Sequence, residues 1–145
     1  MKKEERSDGS DYRGRLAPTP SGWLHLGHAA TFKTAWQRAR DVNGTVVFRM
    51  EDLDPHRCRP EYLAAAVEDL LWWGLDWDEG PDTGGPYAPY RQSQRMELYR
   101  TSLDILRVSG CIYPSPHSRK EIEAETPDRS PVDGDVIFPG RLRRD

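Results

Sequence analysis

Arg15-Leu16-Ala17-Pro18-Thr19-Pro20-Ser21-Gly22-Trp23-Leu24-His25-Leu26-Gly27-His28 joins the end of a strand, a rigid turn and the start of a helix. Arg15 to Ala17 close the strand, while Pro18 and Pro20 fix φ and exclude helix, so the chain turns before the histidines. From Gly27 onward Phe32, Ala35, Trp36 and Ala39 recur at i, i+3, i+4 and i+7, one face of a helix that starts at His25 and His28. The free N–H groups and positive dipole end of that helix face any anion above the strand, and two imidazoles one turn apart supply hydrogen bonds to phosphate oxygens. Taken alone, His-x-Gly-His also fits an ordinary helix start with solvated histidines. A metal pair is a further use of the same residues, but His56, His117, Cys58 and Cys111 stand in no paired spacing with them, which argues against structural zinc there.

Working outward, Asn43-Gly44 stops the helix, and Thr45-Val46-Val47-Phe48-Arg49-Met50 is the β-branched and apolar run of a buried parallel strand. It ends at Glu51-Asp52-Leu53-Asp54-Pro55, which places three carboxylates on the sheet edge where open α/β folds bind ligands. Asp52 and Asp54 serve equally well as capping groups of a charged loop, whereas Glu51 comes directly off the strand. A second helix begins near Pro60 and carries Leu63, Val67, Leu70 and Leu71 to Trp73, where Gly74 stops it. Leu75-Asp76-Trp77-Asp78-Glu79-Gly80-Pro81 and the Gly-, Pro- and Tyr-rich stretch to Tyr90 are too polar and turn-prone for a core element. Gln92-Ser93-Gln94-Arg95 opens a third helix whose stripe Met96, Tyr99, Leu103 and Leu106 is expected to pack in the core. After Gly110, Cys111-Ile112-Tyr113-Pro114 has the character of a short strand, and Ser118-Arg119-Lys120-Glu121-Ile122 that of a short helix.

The order strand, helix, strand, helix, loop, helix, strand predicts an α/β fold with a parallel sheet and flanking helices. The 145 residues suffice for one domain with a core, and they contain no internal repeat. A formal net charge of −3 excludes a globally basic nucleic-acid binder, though not a local basic strip. Arginine outnumbers lysine, 17 to 4, and most of these guanidinium groups belong to a solvated surface. Two separated cysteines make no disulfide framework, and neither a secretory apolar core nor a membrane-length apolar run is present, so no membrane partner is expected and the cytoplasm is the expected location.

The opening stretch, written Arg-x-Ala-Pro-Thr-Pro-Ser-Gly-x-Leu-His-x-Gly-His, resembles the first signature of class I aminoacyl-tRNA synthetases in its glutamyl-type version. Arg49-Met50-Glu51-Asp52-Leu53-Asp54 resembles that family's Arg-x-Glu-Asp-x-Asp block, and Gly74-Leu75-Asp76-Trp77-Asp78 and Gln92-Ser93-Gln94-Arg95 match two further blocks. Leu53 followed by Asp54-Pro55-His56-Arg57 is closer to the glutamyl-queuosine tRNA(Asp) synthetases than to full-length glutamyl-tRNA synthetases, which tend to have threonine at the Leu53 position. The resemblance implies the first half of a Rossmann-like nucleotide-binding domain over 12–110, preceded by a flexible 1–11 and followed by an irregular region over 111–145. It implies ATP with Mg2+, L-glutamate, and tRNA(Asp) or tRNA(Glu) as partners, and transfer of glutamate to the queuosine of tRNA(Asp). By the same resemblance His25 and His28 are the catalytic contacts to the ATP phosphates, and Gly27 lets adenine and ribose approach. Arg15 is assigned to the substrate carboxylate, Ala17 and Thr19 to the lining of the amino-acid pocket and Glu51 to the α-ammonium.

Two departures stand out. The family's small zinc site has no counterpart, because Ser115, His117, Phe138 and Leu142 occupy its positions and cannot supply a tetrahedral donor set, so zinc is not expected. The intervening segment with Pro127, Pro131 and Gly134 has the composition of a flexible surface stretch. The family also continues past this length into a second half with a Lys-Met-Ser-Lys-Ser type loop, which is missing here. The sequence therefore fits a truncated copy or a natural fragment. Three functions follow: a glutamyl-queuosine type ligase, the N-terminal part of an ordinary glutamyl-tRNA synthetase, or a non-catalytic remnant that binds nucleotide or a partner.

Overall fold

In the computed structural model residues 11–142 are described, so nearly all of the expected flexible segment 1–11 lies outside them. Strand β1 (Arg13–Leu16) leads through Pro18 and Pro20 into helix α1 (Leu26–Asp41), and the chain returns as β2 (Thr45–Phe48) beside β1. The two strands are parallel, with Arg13 opposite Thr45 and Leu16 opposite Phe48. Gly14 is required by this β-α-β unit: a Cβ there would lie 2.7 Å from the Ala35 carbonyl oxygen and 2.9 Å from Ala39 Cβ, so a larger residue would push α1 off the sheet. Asn43, with φ of 52°, and the Gly44 N–H donating to the Ala39 carbonyl at 2.7 Å end α1 where the Asn-Gly pair predicts.

Alternation sorts the two faces of the sheet. Leu16, Val46 and Phe48 are fully buried and pack with Phe32 and Ala39 of α1, both predicted core positions, while Ala35 and Trp36 are partly buried beside them. Helix α2 (Pro60–Trp72) adds Ala66 and Leu70, and Gly74, with φ of 76°, follows it. Thr45, Val47 and Arg49 are only half-buried, so β2 is covered on one face and not on both as its unbroken apolar run suggests.

The segment after α2 corrects the sequence reading. Leu75, Trp77 and Glu79 are buried while Asp76 and Asp78 are not. The Phe48 N–H donates to the Glu79 carbonyl at 2.8 Å and the Asp78 N–H to that of Val46 at 2.9 Å, so the stretch is a core-lining, strand-like neighbour of β2. Its period-2 pattern was visible in the sequence, but its acidic residues masked it.

The chain divides into two compact units, Met1–Met96 and Glu97–Asp145. Helix α3 (Met96–Val108), entered through a 3-10 turn at Gln92–Arg95, therefore lies, Met96 apart, in the second unit. Against expectation it buries none of its residues, and Leu103 and Leu106 are exposed. The expected strand at Cys111–Pro114 is also absent, because these residues find no ladder partner after Gly110 turns the chain at φ of 71°. Helix α4 (Arg119–Glu125) forms as read, capped by Ser118 and Glu121. The Pro127–Gly134 stretch makes a tight turn closed by an antiparallel bridge between Arg129 and Val136.

Candidate active site

The parallel ladder runs on past β2. The Arg49 N–H donates to the Leu16 carbonyl at 2.8 Å and the Glu51 N–H to that of Pro18 at 3.0 Å, and beyond it the Arg59 N–H donates to the Pro20 carbonyl at 3.0 Å. The acidic block thus leaves β2 against the proline turn, at one sheet edge as the strand order predicts.

At the head of α1 the two histidines cap the helix. His25 is the N-cap: its Nδ1 accepts the Gly27 N–H at 3.1 Å, and Nδ1 of His28 accepts the His25 N–H at 3.2 Å. The ring centroids are 4.0 Å apart. An Nδ1 that accepts carries no proton, so each neutral ring holds its hydrogen on Nε2, which is left to donate outward. Burial, and then the neighbouring His25, push the His28 pKa down, which favours this neutral form. Gly27 has a local reason to be glycine: a Cβ would lie 3.0 Å from His25 Cε1, so a side chain would displace the capping ring.

Ala17, Thr19 and His28 line a cavity of about 220 Å³ with Pro18, Gly22 and Phe32. Arg15 is not among its walls. It lines a separate hollow of about 270 Å³ with Arg13, Arg49, Arg95, Tyr87 and Tyr90. The turn at Pro18 produces this separation, because Arg15 is still on the strand whereas Ala17 and Thr19 have left it. Glu51, half-buried, forms an ion pair with Arg49.

Several residues of this hollow escaped the sequence reading. Arg13 donates to Glu79 at 2.6 Å, the Tyr90 hydroxyl donates to the same carboxylate oxygen at 2.5 Å, and the Arg13 guanidinium lies over the Tyr87 ring at 5.0 Å. The Arg13 hydrogen bond holds the Glu79 pKa down against the effect of burial, while burial and the Glu79 bond push that of Tyr90 up. Arg95 closes the other wall by donating to the Tyr87 and Pro89 carbonyls at 3.1 Å each. The Arg13–Glu79 bond spans 66 residues, and no local motif announces it. Asp52 and Asp54 hold loop backbone: Asp52 accepts from the Ser93 N–H at 3.0 Å and from its hydroxyl at 2.7 Å, and Asp54 from the His56 N–H at 3.0 Å, while the N-cap of α2, Arg59, makes no side-chain capping bond.

No three His, Cys, Asp or Glu side chains among the described residues are grouped to hold a metal ion. At the positions of the family's zinc ligands, Phe138 packs against Tyr113 with ring centroids 6.1 Å apart, an apolar contact that fits no metal. No helix among the described residues is long and apolar enough to cross a membrane.

Residues 11–133 match the family of class I tRNA synthetases (E and Q), catalytic domain. The chain is 50% identical over 131 residues to a glutamyl-Q tRNA(Asp) synthetase of Nitratidesulfovibrio vulgaris, covering 90% of this chain and 40% of that protein. It is 49% identical over 133 residues to the protein of that name from Symbiobacterium thermophilum, with 90% of this chain and 41% of the relative covered. Over 131 residues it is 41% identical to a glutamate–tRNA ligase of the latter organism, with coverage of 90% and 27%. Among solved structures, a glutamate tRNA ligase from Elizabethkingia meningosepticum in complex with its amino acid superposes with a TM-score of 0.65 at 35% identity, over 80% of this chain and 23% of that one. The chain thus spans about 40% of the length of the glutamyl-Q relatives it matches. With its first signature at the head of α1 and its acidic block at the end of β2, this chain belongs to the class I glutamyl- and glutaminyl-type tRNA synthetase catalytic-domain family, as the first half of the Rossmann-like nucleotide-binding fold.

Proposed function

We propose that this protein takes part in activating L-glutamate with ATP and passing the glutamyl group to tRNA. The observation that carries this reading is the double imidazole cap of α1, which frees two Nε2–H donors at a helix N-terminus beside the cavity lined by Ala17, Thr19 and His28. In the first step a glutamate carboxylate oxygen bonds to the α-phosphorus of ATP while the bond to the bridging oxygen breaks and pyrophosphate leaves. In the second, a tRNA hydroxyl attacks the activated carbonyl and AMP leaves. Neither step needs a protein nucleophile, so the chain's part is to position the reactants and stabilise charge. His25, His28 and the α1 dipole face the phosphates, and Gly27 keeps the nucleotide side uncluttered. Arg15 matches the side-chain carboxylate of glutamate and Glu51 its ammonium. Magnesium enters as the counter-ion of the ATP phosphates, and zinc is not used.

For the acceptor we favour the queuosine of tRNA(Asp), which the identities of 50% and 49% to glutamyl-Q tRNA(Asp) synthetases support, against 41% to a glutamate–tRNA ligase over a similar span. The test is glutamate-dependent exchange of pyrophosphate into ATP, followed by transfer of labelled glutamate to tRNA(Asp) with and without queuosine and to tRNA(Glu), using this sequence within its complete reading frame. Loss of exchange in Arg15→Ala and Glu51→Ala, with the fold intact, is the expected result. Normal exchange in folded variants would reduce these two residues to surface charges. Labelling of tRNA(Glu) in place of queuosine-bearing tRNA(Asp) would assign the chain to an ordinary glutamyl-tRNA synthetase.

A further inference from the structure

On the sheet face turned away from α1, side chains follow the strand period of two. Arg15 stands opposite Val47, Arg49 comes two residues after Val47, and Glu51 two residues after Arg49. Arg49 therefore lies between the proposed carboxylate ligand and the proposed ammonium ligand. One edge of its guanidinium pairs with Glu51, and the side chain also lines the hollow that Arg15 shares with Tyr87 and Tyr90. Its backbone is fixed by the ladder bond to Leu16, and that of Glu51 by the bond to Pro18. Arg49 Nε is buried without a hydrogen-bond partner, the one side-chain atom in that state among the described residues. Such an orphan donor is disfavoured, so it calls for a compensating use of the side chain.

Unlike charges in one small site raise a difficulty of their own. A carboxylate on a single-bonded stem samples several rotamers, and a mobile Glu51 meets an ammonium less often in the geometry that binds it. Arg49 restricts that freedom through a charge-assisted hydrogen bond from one guanidinium nitrogen to one Glu51 carboxylate oxygen. The pair is made through one carboxylate oxygen of Glu51, Oε1. Glu79, which meets two residues of this hollow, is already taken by Arg13 and Tyr90.

We propose that Arg49 is a positioning residue that holds Glu51 in the orientation needed to receive the α-ammonium of an amino acid whose side-chain carboxylate sits on Arg15. This rests on the roles of Arg15 and Glu51 given above. It predicts a selective defect: loss of Arg49 weakens ligands that carry the ammonium and spares those that lack it.

The test uses the 145-residue chain, with NMR titration of L-glutamate and of glutarate, which keeps both carboxylates and has no amino group. Arg49→Met matches the length of the stem and removes the fork, and Arg49→Lys restores a charge. The expected result is a loss of about tenfold or more in L-glutamate affinity for Arg49→Met, the scale of one charge-assisted hydrogen bond, with partial recovery in Arg49→Lys. Glutarate affinity is expected to stay within about twofold of the wild type, since a substitution away from its contacts is close to neutral. An equal loss for both ligands would mean that Arg49 grips a carboxylate itself or supports the hollow as a whole, and would overturn the positioning role. No loss for either would overturn it as well. A wild-type chain that binds neither ligand would overturn both this inference and the glutamate reading beneath it. Binding that depends on Arg15 and Glu51 and ignores Arg49 would overturn the inference alone.

Discussion

Residues 11–96 and 97–142 are of one chain but are held by different forces. The first unit has a buried centre, with Leu16, Val46, Phe48, Met50 and Leu70 at 1% exposure or less. The second has one buried residue among those described, Thr126, and relies on mostly exposed polar contacts: the Ser118–Glu121 capping box, Arg129 donating to the Thr126 and Asp128 carbonyls, and the Arg141–Glu125 pair. A βαβ unit can bury apolar side chains from elements distant in sequence, and its geometry is then over-determined enough to hold imidazoles and carboxylates in place. Caps and turns fix a local path without that redundancy. The candidate site accordingly lies wholly in the first unit.

The sharpest way to break this contrast is to truncate one large apolar side chain in each unit. Phe48→Ala removes a ring that is 1% exposed and packs against Trp77 with ring centroids 4.5 Å apart. It should cost about 3–5 kcal/mol, enough to unfold a marginal domain. Leu103→Ala truncates a side chain on the exposed α3 and should change stability by less than about 0.5 kcal/mol. Denaturant unfolding reads both, with tryptophan fluorescence for the first unit, which holds all five tryptophans, and far-UV circular dichroism for the helices of the second. Equal effects would mean that α3 is buried in solution and that the two units do not differ in the way described.

The contrast also explains what could be read in advance. Pro18, Pro20, Asn43-Gly44 and Gly74 are local punctuation, and the period of Phe32, Ala35, Trp36 and Ala39 is set by one helix packing on one sheet, so β1, α1, β2 and α2 were legible. His25 and His28 were legible as the start of α1, though their mutual capping was not, since it depends on which ring nitrogen faces the backbone. The apolar stripe on α3 misled, because a helical period reports amphipathicity and not the presence of a partner. Cys111–Pro114 misled for the matching reason: strand propensity has no effect without a neighbouring ladder. The Arg13–Glu79–Tyr90 cluster was out of reach because its members are 66 and 11 residues apart.

Replacing His25 and His28 together with alanine tests whether the rigidity of the first unit serves a ligand. ATP binding should weaken by about 1–3 kcal/mol in a calorimetric titration, the range for losing charge-assisted donors. Equal affinities would remove the imidazoles from the nucleotide site. The pH dependence has a definite sign. The folded pKa of His28 is depressed, so the neutral form that caps α1 through Nδ1 is fully present above the pKa of an unfolded histidine and is lost as pH falls through the folded value. The stability of the wild type should fall with acidification over that window as the cap is lost, and the double variant should show no such step.

A smaller effect is expected at Glu79. Glu79→Gln keeps an acceptor for Tyr90 but loses the ionic half of the Arg13 pair, for a cost of about 1.5 kcal/mol at neutral pH. Because the folded pKa of Glu79 is depressed, its contribution is complete above the unfolded carboxylate value and disappears as pH falls through the folded one. Wild type and variant should therefore converge in stability at low pH. A gap that persists there would assign the loss to packing around Gly85 and Tyr90 and not to charge.

The smallest effect belongs to the second unit. Arg141 meets Glu125 at 2.5 Å and its carbonyl at 3.1 Å, but the two side chains are 60% and 47% exposed, so water screens the pair and its ordering offsets part of the gain. Arg141→Ala should cost less than about 1 kcal/mol and should cost less still in high salt. Amide signals of α4 and of 126–142 report it directly, and a metal chelator should leave those signals in place, since no three His, Cys, Asp or Glu side chains among the described residues are grouped to hold a metal ion. Loss of the whole set of signals in Arg141→Ala would show that one exposed pair does the structural work that five buried side chains do in the first unit. Exposed polar contacts would then have to count as cooperative, and the physical distinction between the two halves of this chain would fail at its weaker end.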